Sequence, residues 1–131
     1  EMVVSAGRDH ALAKEKIVPY SRLSQERWLL REQGSSSRAF FDNQLALHLD
    51  NPQVALSLNA FDAILSCVAH NLGITFISKR VLQQPFSAGH FVQLHTEQRF
   101  MRKLTLCYHK NKFISPTLQS WLSFSHSWTH V

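Results

Sequence analysis

Short apolar runs alternate with stretches of helical spacing along this chain, and that alternation limits the folds open to it. Residues 28–38, WLLREQGSSSR, hold the repeating unit in its clearest form. Trp28-Leu29-Leu30 predicts a strand and Gly34 a tight turn. Ser35, Ser36 and Ser37 then open a helix over residues 36–49, with Phe40, Phe41, Leu45 and Leu49 near helical spacing. A helix start presents unbonded N–H groups and the positive end of the dipole. Serine hydroxyls add donors that can reorient around a carboxylate, sulfate or phosphate. Serine is also a preferred N-cap, so the stretch taken alone is either an anion site or an ordinary helix start.

The same alternation runs through the rest of the chain. Residues 2–6, 54–58, 74–77, 91–94 and 104–109 predict strands. A short helix is expected behind Pro19, running to Leu23. Residues 60–72 predict a helix with Ile64, Leu65, Val68 and Leu72 as its apolar stripe, closed by Gly73. Residues 79–84 predict one or two turns stopped by Pro85. Ser115-Pro116 opens a last helix with Leu118, Trp121, Leu122 and Phe124 on its apolar side. Strands alternating with helices give an α/β domain with a mixed, mostly parallel sheet. No repeat or low-complexity linker marks a second complete domain.

Composition narrows the partners. The 131 residues suit one domain, and 44% hydrophobic content suits a real core. No apolar run nears the roughly 20 residues of a membrane span, so no membrane partner is expected. Glu1 opens the chain without a signal peptide or an initiator Met, so it reads as a piece of a longer, cytoplasmic protein. A net charge of +5 favours anionic partners. The densest basic groups, residues 99–103 and 110–112, are not interleaved with aromatics. They read as solvated loops rather than a nucleic-acid surface. Cys67 and Cys107 sit in apolar patterns without a CxxC pair and read as buried, inert thiols.

Four segments, in order, resemble the effector-binding domain of LysR-type transcriptional regulators. MVVSAGRDHAL (2–12) is similar to that family's crossover strand and GxxHPLA turn, with Ala11 where Pro is usual. WLLREQGSSSR is similar to its PWILREPGSGTR segment. Residues 54–77 are similar to its strand–helix–strand ending in VAAGLGIALLP, and 104–124 to its closing LSLVWRRDRPLSPAARAFLDFL element. Asn71 replaces the first Gly of Gly-Leu-Gly, and Ser78 a frequent Pro. Gln33 and the three serines replace the common Pro-Gly-Ser-Gly-Thr. Asn tolerates cap conformations nearly as Gly does, so the fold survives these changes while the pocket becomes more polar.

The resemblance implies a periplasmic binding protein type II-like fold, with two Rossmann-like lobes joined by crossover strands and a small effector in the cleft between them. Residues 1–12 would be a crossover strand and turn, 13–95 the second lobe, and 96–131 the returning strand and helix of the first. The DNA-binding domain is absent from this chain, so DNA is a partner only through that domain. The implied function is a ligand-sensing regulatory module. It places Ser35, Ser36 and Ser37 on the loop that holds an effector carboxylate or sulfate. Asn59, Ala60 and Phe61 fall on the next loop, and Thr75 near the cleft at a strand edge. The expected effector is a small organic acid, amino acid or oxyanion. A homo-oligomer is expected as well, with Trp121, Leu122 and Phe124 exposed on the last helix. Phe61 serves equally as core, Thr75 as a strand former and Asn59 as an N-cap. The alternative is a solute-binding protein of the same fold type.

No enzyme, cofactor or metal is expected. The serines lack a Gly-x-Ser-x-Gly elbow and an assigned His base. His126 and His130 are four apart but have no third ligand in sequence. His109 has no evident carboxylate partner, and Asp62 supports its helix start.

Overall fold

The computed structural model describes residues 1–83 and 89–127. β1 (Met2–Gly7) is buried along its whole length. A 3-10 turn (Ala11–Lys14) follows, capped by His10, whose Nδ1 accepts from the Leu12 N–H. α1 (Tyr20–Leu23) starts behind Pro19. Then come β2 (Arg27–Arg31), α2 (Ser36–Phe40), β3 (Gln53–Leu58), α3 (Phe61–Ala69), β4 (Thr75–Ser78), α4 (Lys79–Leu82), β5 (Phe91–Leu94) and α5 (Pro116–Ser127).

β2 and β3 pair in parallel. Ile74, at the mouth of β4, forms a parallel bridge to Trp28. Its N–H donates to the Arg27 carbonyl at 2.9 Å, and its carbonyl accepts from the Leu29 N–H at 2.8 Å. β1 runs antiparallel to both β4 and β5. Ile74 therefore stitches the β2-β3 pair to the β4-β1-β5 sheet. The sheet is mixed, as expected, but it is parallel only on the β3–β2–β4 side. A strand buried on both faces reads as the same apolar run whichever way its neighbours point.

The strand period of two splits β2 between two cores. Trp28 and Leu30 join Val4, Leu12, Phe41 and Phe76, while Leu29 packs with Ile64 and Val68 of α3. The buried indole of Trp28 donates to the Leu23 carbonyl at 3.2 Å, so its one polar atom is satisfied.

The helix expected over 36–49 is three kinds of turn. α2 widens into a π turn (Phe41–Leu45) and tightens into a 3-10 turn (Ala46–His48), and both Phe41 and Leu45 are buried. α3 stops at Ala69, and its left-handed closing residue is Asn71, at φ 55, rather than Gly73. The Asn71 N–H donates to Val68 at 2.9 Å and the Leu72 N–H to Cys67 at 3.1 Å, a Schellman closure. Leu72 consequently leaves the apolar stripe and is exposed. Gly73 is required for a different reason, because a Cβ there would fall on the Arg27 carbonyl oxygen.

Residues 104–109 form no strand. Leu104 is 77% exposed and Leu106 52%. No described strand lies beside them, and an extended segment without a neighbour has no ladder to join. Cys107 on this segment is exposed and Cys67 is half-buried, so neither is the buried thiol expected. In α5 Leu122 is buried, whereas Trp121 and Phe124 are exposed. The stop expected at Pro85 and the residue His130 lie outside the described residues.

Candidate functional site

The candidate site grows from the carboxyl end of β2. Gly34 turns the chain at φ 90, a conformation that favours glycine. Ser35 then caps α2, its Oγ accepting from the Arg38 N–H at 3.1 Å. Of the two readings of the serines, Ser35 thus takes the structural one. The hydroxyls of Ser36 and Ser37 have no hydrogen-bond partner among the described residues, and both residues line a cavity of about 490 Å³. Arg31, Glu32, Phe61, Met2, Ser78 and Arg102 line it with them.

Arg31 follows Leu29 on the β2 face that looks toward α3. Its guanidinium sits 4.7 Å from the centroid of the Phe61 ring, the first residue of α3. It also donates twice to Glu32, at 2.7 and 2.9 Å. Those bonds hold the Glu32 carboxyl below the usual carboxylate range and push Arg31 further up. The charge of Arg31 is therefore compensated within the turn itself.

Arg102 comes from the extended stretch after Phe100. It is half-buried and has no ion-pair or hydrogen-bond partner among the described residues. An adjoining cavity of about 510 Å³ shares Met2, Ser78 and Arg102, and adds Glu1 and Leu104. There the Glu1 carboxylate accepts from Arg99 at 2.9 Å and from Lys79 at 3.2 Å. Its pKa falls to about 2, chiefly through the Arg99 bond.

The structure brings together four of the residues picked from sequence: Ser35, Ser36, Ser37 and Phe61. It places the other three outside the cavity lining. Asn59 is exposed and caps nothing, because the N-cap of α3 is Ala60, which makes no side-chain cap bond. Thr75 is buried in β4, opposite Ser5. Phe61 is partly exposed under Arg31 and belongs to neither core cluster. Arg31, Glu32, Ser78 and Arg102 were missed. The period of two that sends Leu29 toward α3 could have found Arg31. Nothing local points to Arg102, which reaches the cavity from far along the chain.

Other chemistry is sparse. Among the described residues no group of three or more His, Cys, Asp or Glu could hold a metal ion. No helix among them is long and apolar enough to cross a membrane. His109 uses its Nδ1 to accept from the Asn111 N–H at 3.2 Å.

The family model for the LysR substrate binding domain matches residues 1–129. YeiE of Escherichia coli (strain K12), an uncharacterized HTH-type transcriptional regulator, is 33% identical over 125 residues, covering 95% of this chain and 42% of that protein. The HTH-type transcriptional activator CmpR of Synechocystis is 30% identical over 129 residues, covering 94% of this chain and 41% of its own length. The chain thus spans less than half of these curated relatives, which are transcriptional regulators. The Synechocystis CcmR regulatory domain in complex with 2-PG matches with a TM-score of 0.78 at 26% identity, covering 94% of this chain and 60% of that one. The effector binding domain of QuiR in complex with shikimate shares the fold, with a TM-score of 0.71 at 19% identity over 95% of this chain and 59% of that one.

Proposed function

This chain belongs to the LysR substrate binding domain family, and from that premise we propose that it senses a small anionic effector on behalf of a longer transcription regulator. The observation that carries the reading is the cavity of about 490 Å³ beyond the carboxyl end of β2, where the open hydroxyls of Ser36 and Ser37 stand beside Arg31 and Phe61. Ligands of open α/β sheets bind beyond the carboxyl ends of strands. A volume of this size suits an organic acid, an amino acid or an inorganic oxyanion. The CcmR regulatory domain in complex with 2-PG supports a small ligand in such a domain.

In this reading Ser36, Ser37 and Phe61 touch the effector and Ser35 holds the loop, while Asn59, Ala60 and Thr75 stand outside the cavity lining and take no part in holding it. Residues 13–95 serve as the second lobe, with 1–12 crossing into it and 96–131 returning from it. The chain performs no catalysis. No histidine lines the cavity among the described residues, and its one carboxylate, Glu32, is bound to Arg31. DNA is contacted through another part of the regulator, which works in the cytoplasm as a homo-oligomer. Exposed Trp121 and Phe124 of α5 offer apolar surface for that assembly.

A thermal-shift screen against small anions tests the proposal. Stabilisation should grow with ligand concentration above the dissociation constant, and Ser36→Ala should diminish it. A melting midpoint that no anion moves rejects the reading.

A further inference from the structure

The serine cavity contains one cation that nothing in the described chain neutralises. Arg31 is engaged by Glu32 and Arg99 by Glu1. Arg102 is half-buried, lines the serine cavity and the adjoining one, and has no ion-pair or hydrogen-bond partner among the described residues. The carboxylate on the serine-cavity wall, Glu32, is already held by Arg31. A half-buried arginine and two hydroxyls that line one cavity, none of them with a partner among the described residues, make an incomplete hydrogen-bond set.

We propose that Arg102 reads the anionic headgroup of the effector, its guanidinium forking onto two oxygens while the Ser36 and Ser37 hydroxyls donate to a third. This rests on the reading of the serine cavity as the effector site and goes beyond it in naming the headgroup. An oxyanion with three or more acceptor oxygens, such as a phosphate, phosphonate or sulfate group, satisfies both sets of donors. A carboxylate has two oxygens and satisfies one set. Arg102 also stands two residues past Phe100, whose carbonyl accepts from the Met2 N–H at 2.8 Å. Anion binding therefore draws the extended stretch after Phe100 toward the turn between β2 and α2.

The test titrates the protein with inorganic phosphate and, separately, with acetate, against chloride at equal ionic strength. The readouts are the melting midpoint and amide hydrogen exchange at residues 101–106. Wild type should bind phosphate more tightly than acetate, and its exchange at 101–106 should slow. Arg102→Met should weaken phosphate binding about 10- to 100-fold and abolish the slowing. Arg102→Lys, which keeps the charge and loses the fork, should fall between. Lys103→Met makes the same change in net charge next door and should stay within about twofold of wild type. Phosphate binding by Arg102→Met equal to wild type overturns the assignment of Arg102 and leaves the effector cavity standing. A response to acetate alone overturns the headgroup class in the same way. No response to either anion in wild type removes both the headgroup and the cavity reading.

Discussion

Two strand–turn–helix units lie side by side in this molecule, β2–α2 and β3–α3, with their strands parallel. Each ends on an asparagine in the left-handed region, Asn51 at φ 47 and Asn71 at φ 55. They differ almost everywhere else. β2 buries Trp28, Leu29 and Leu30, whereas β3 is the outer strand, with Val54 and Leu56 each 36% exposed. α2 opens through Gly34 and a capping serine hydroxyl, while α3 opens at Ala60 with no side-chain cap. α2 widens and then tightens, whereas α3 stays regular. The inner unit does two jobs, because its strand supplies packing and its turn supplies polar donors. The outer unit is a cover whose underside buries Ile64, Leu65 and Val68 and whose first residue shelves Arg31.

Truncating the paired residues Trp28 and Val54 separates the two strands most strongly. Trp28→Ala should cost about 3–5 kcal/mol in urea unfolding, and Val54→Ala about 0.5 kcal/mol or less. Equal losses would mean that the two strands share the load. Next come the glycines. Gly73→Ala should cost about 1–3 kcal/mol, because its methyl meets the Arg27 backbone of the inner strand. Gly34→Ala meets no atom within 4 Å and should cost about 1–2 kcal/mol for its backbone conformation alone. The caps follow. Ser35→Ala should cost about 1 kcal/mol, and Ala60→Ser should gain a similar or smaller amount, narrowing the contrast between the two helix starts. Unfolding midpoints measured on the pair check both.

The smallest effect concerns the turn's own charge. Glu32→Gln releases Arg31 and should tighten sulfate binding about two- to fivefold at neutral pH. The folded Glu32 carboxyl lies below its usual value, so its pairing is intact at neutral pH and is lost as pH falls into the acid range. Sulfate affinity in wild type should therefore rise on acidification, and the Gln variant should show no such rise. Isothermal titration at neutral and acid pH separates the two.

What was legible in the sequence is what is decided locally. The strand at Trp28, the turn at Gly34, the serine helix start and the Pro116 helix start all follow from period and turn chemistry, and all are observed. The capacity of Asn71 for a left-handed closure was legible too, although Gly73 was given that role and serves instead to let two backbones approach. The direction of β1 relative to its neighbours was not legible, since a fully buried strand carries no mark of it. Residues 104–109 misled because Leu104, Leu106 and Tyr108 alternate as a strand would, while strand formation depends on a neighbour that the pattern does not encode. The site divides in the same way. Ser36 and Ser37 belong to the turn and could be read from it. Phe61 needed the family resemblance, and Arg102 needed three dimensions, because the chain between Arg102 and the turn is the rest of the fold.

The single backbone bond from Met2 to Phe100 also bears on affinity. Residues 101–115 just beyond it form no helix or strand, and two residues reach no further than about 7 Å. A cation on so short a leash behaves as a tethered reagent. Its effective concentration at the cavity is set by the tether and is on the order of millimolar for short flexible linkers. The bridge between Met2 and Phe100 thus acts on association entropy as well as on the sheet. Lengthening the stretch between Phe100 and Arg102 dilutes the guanidinium without altering any atom of the serine turn.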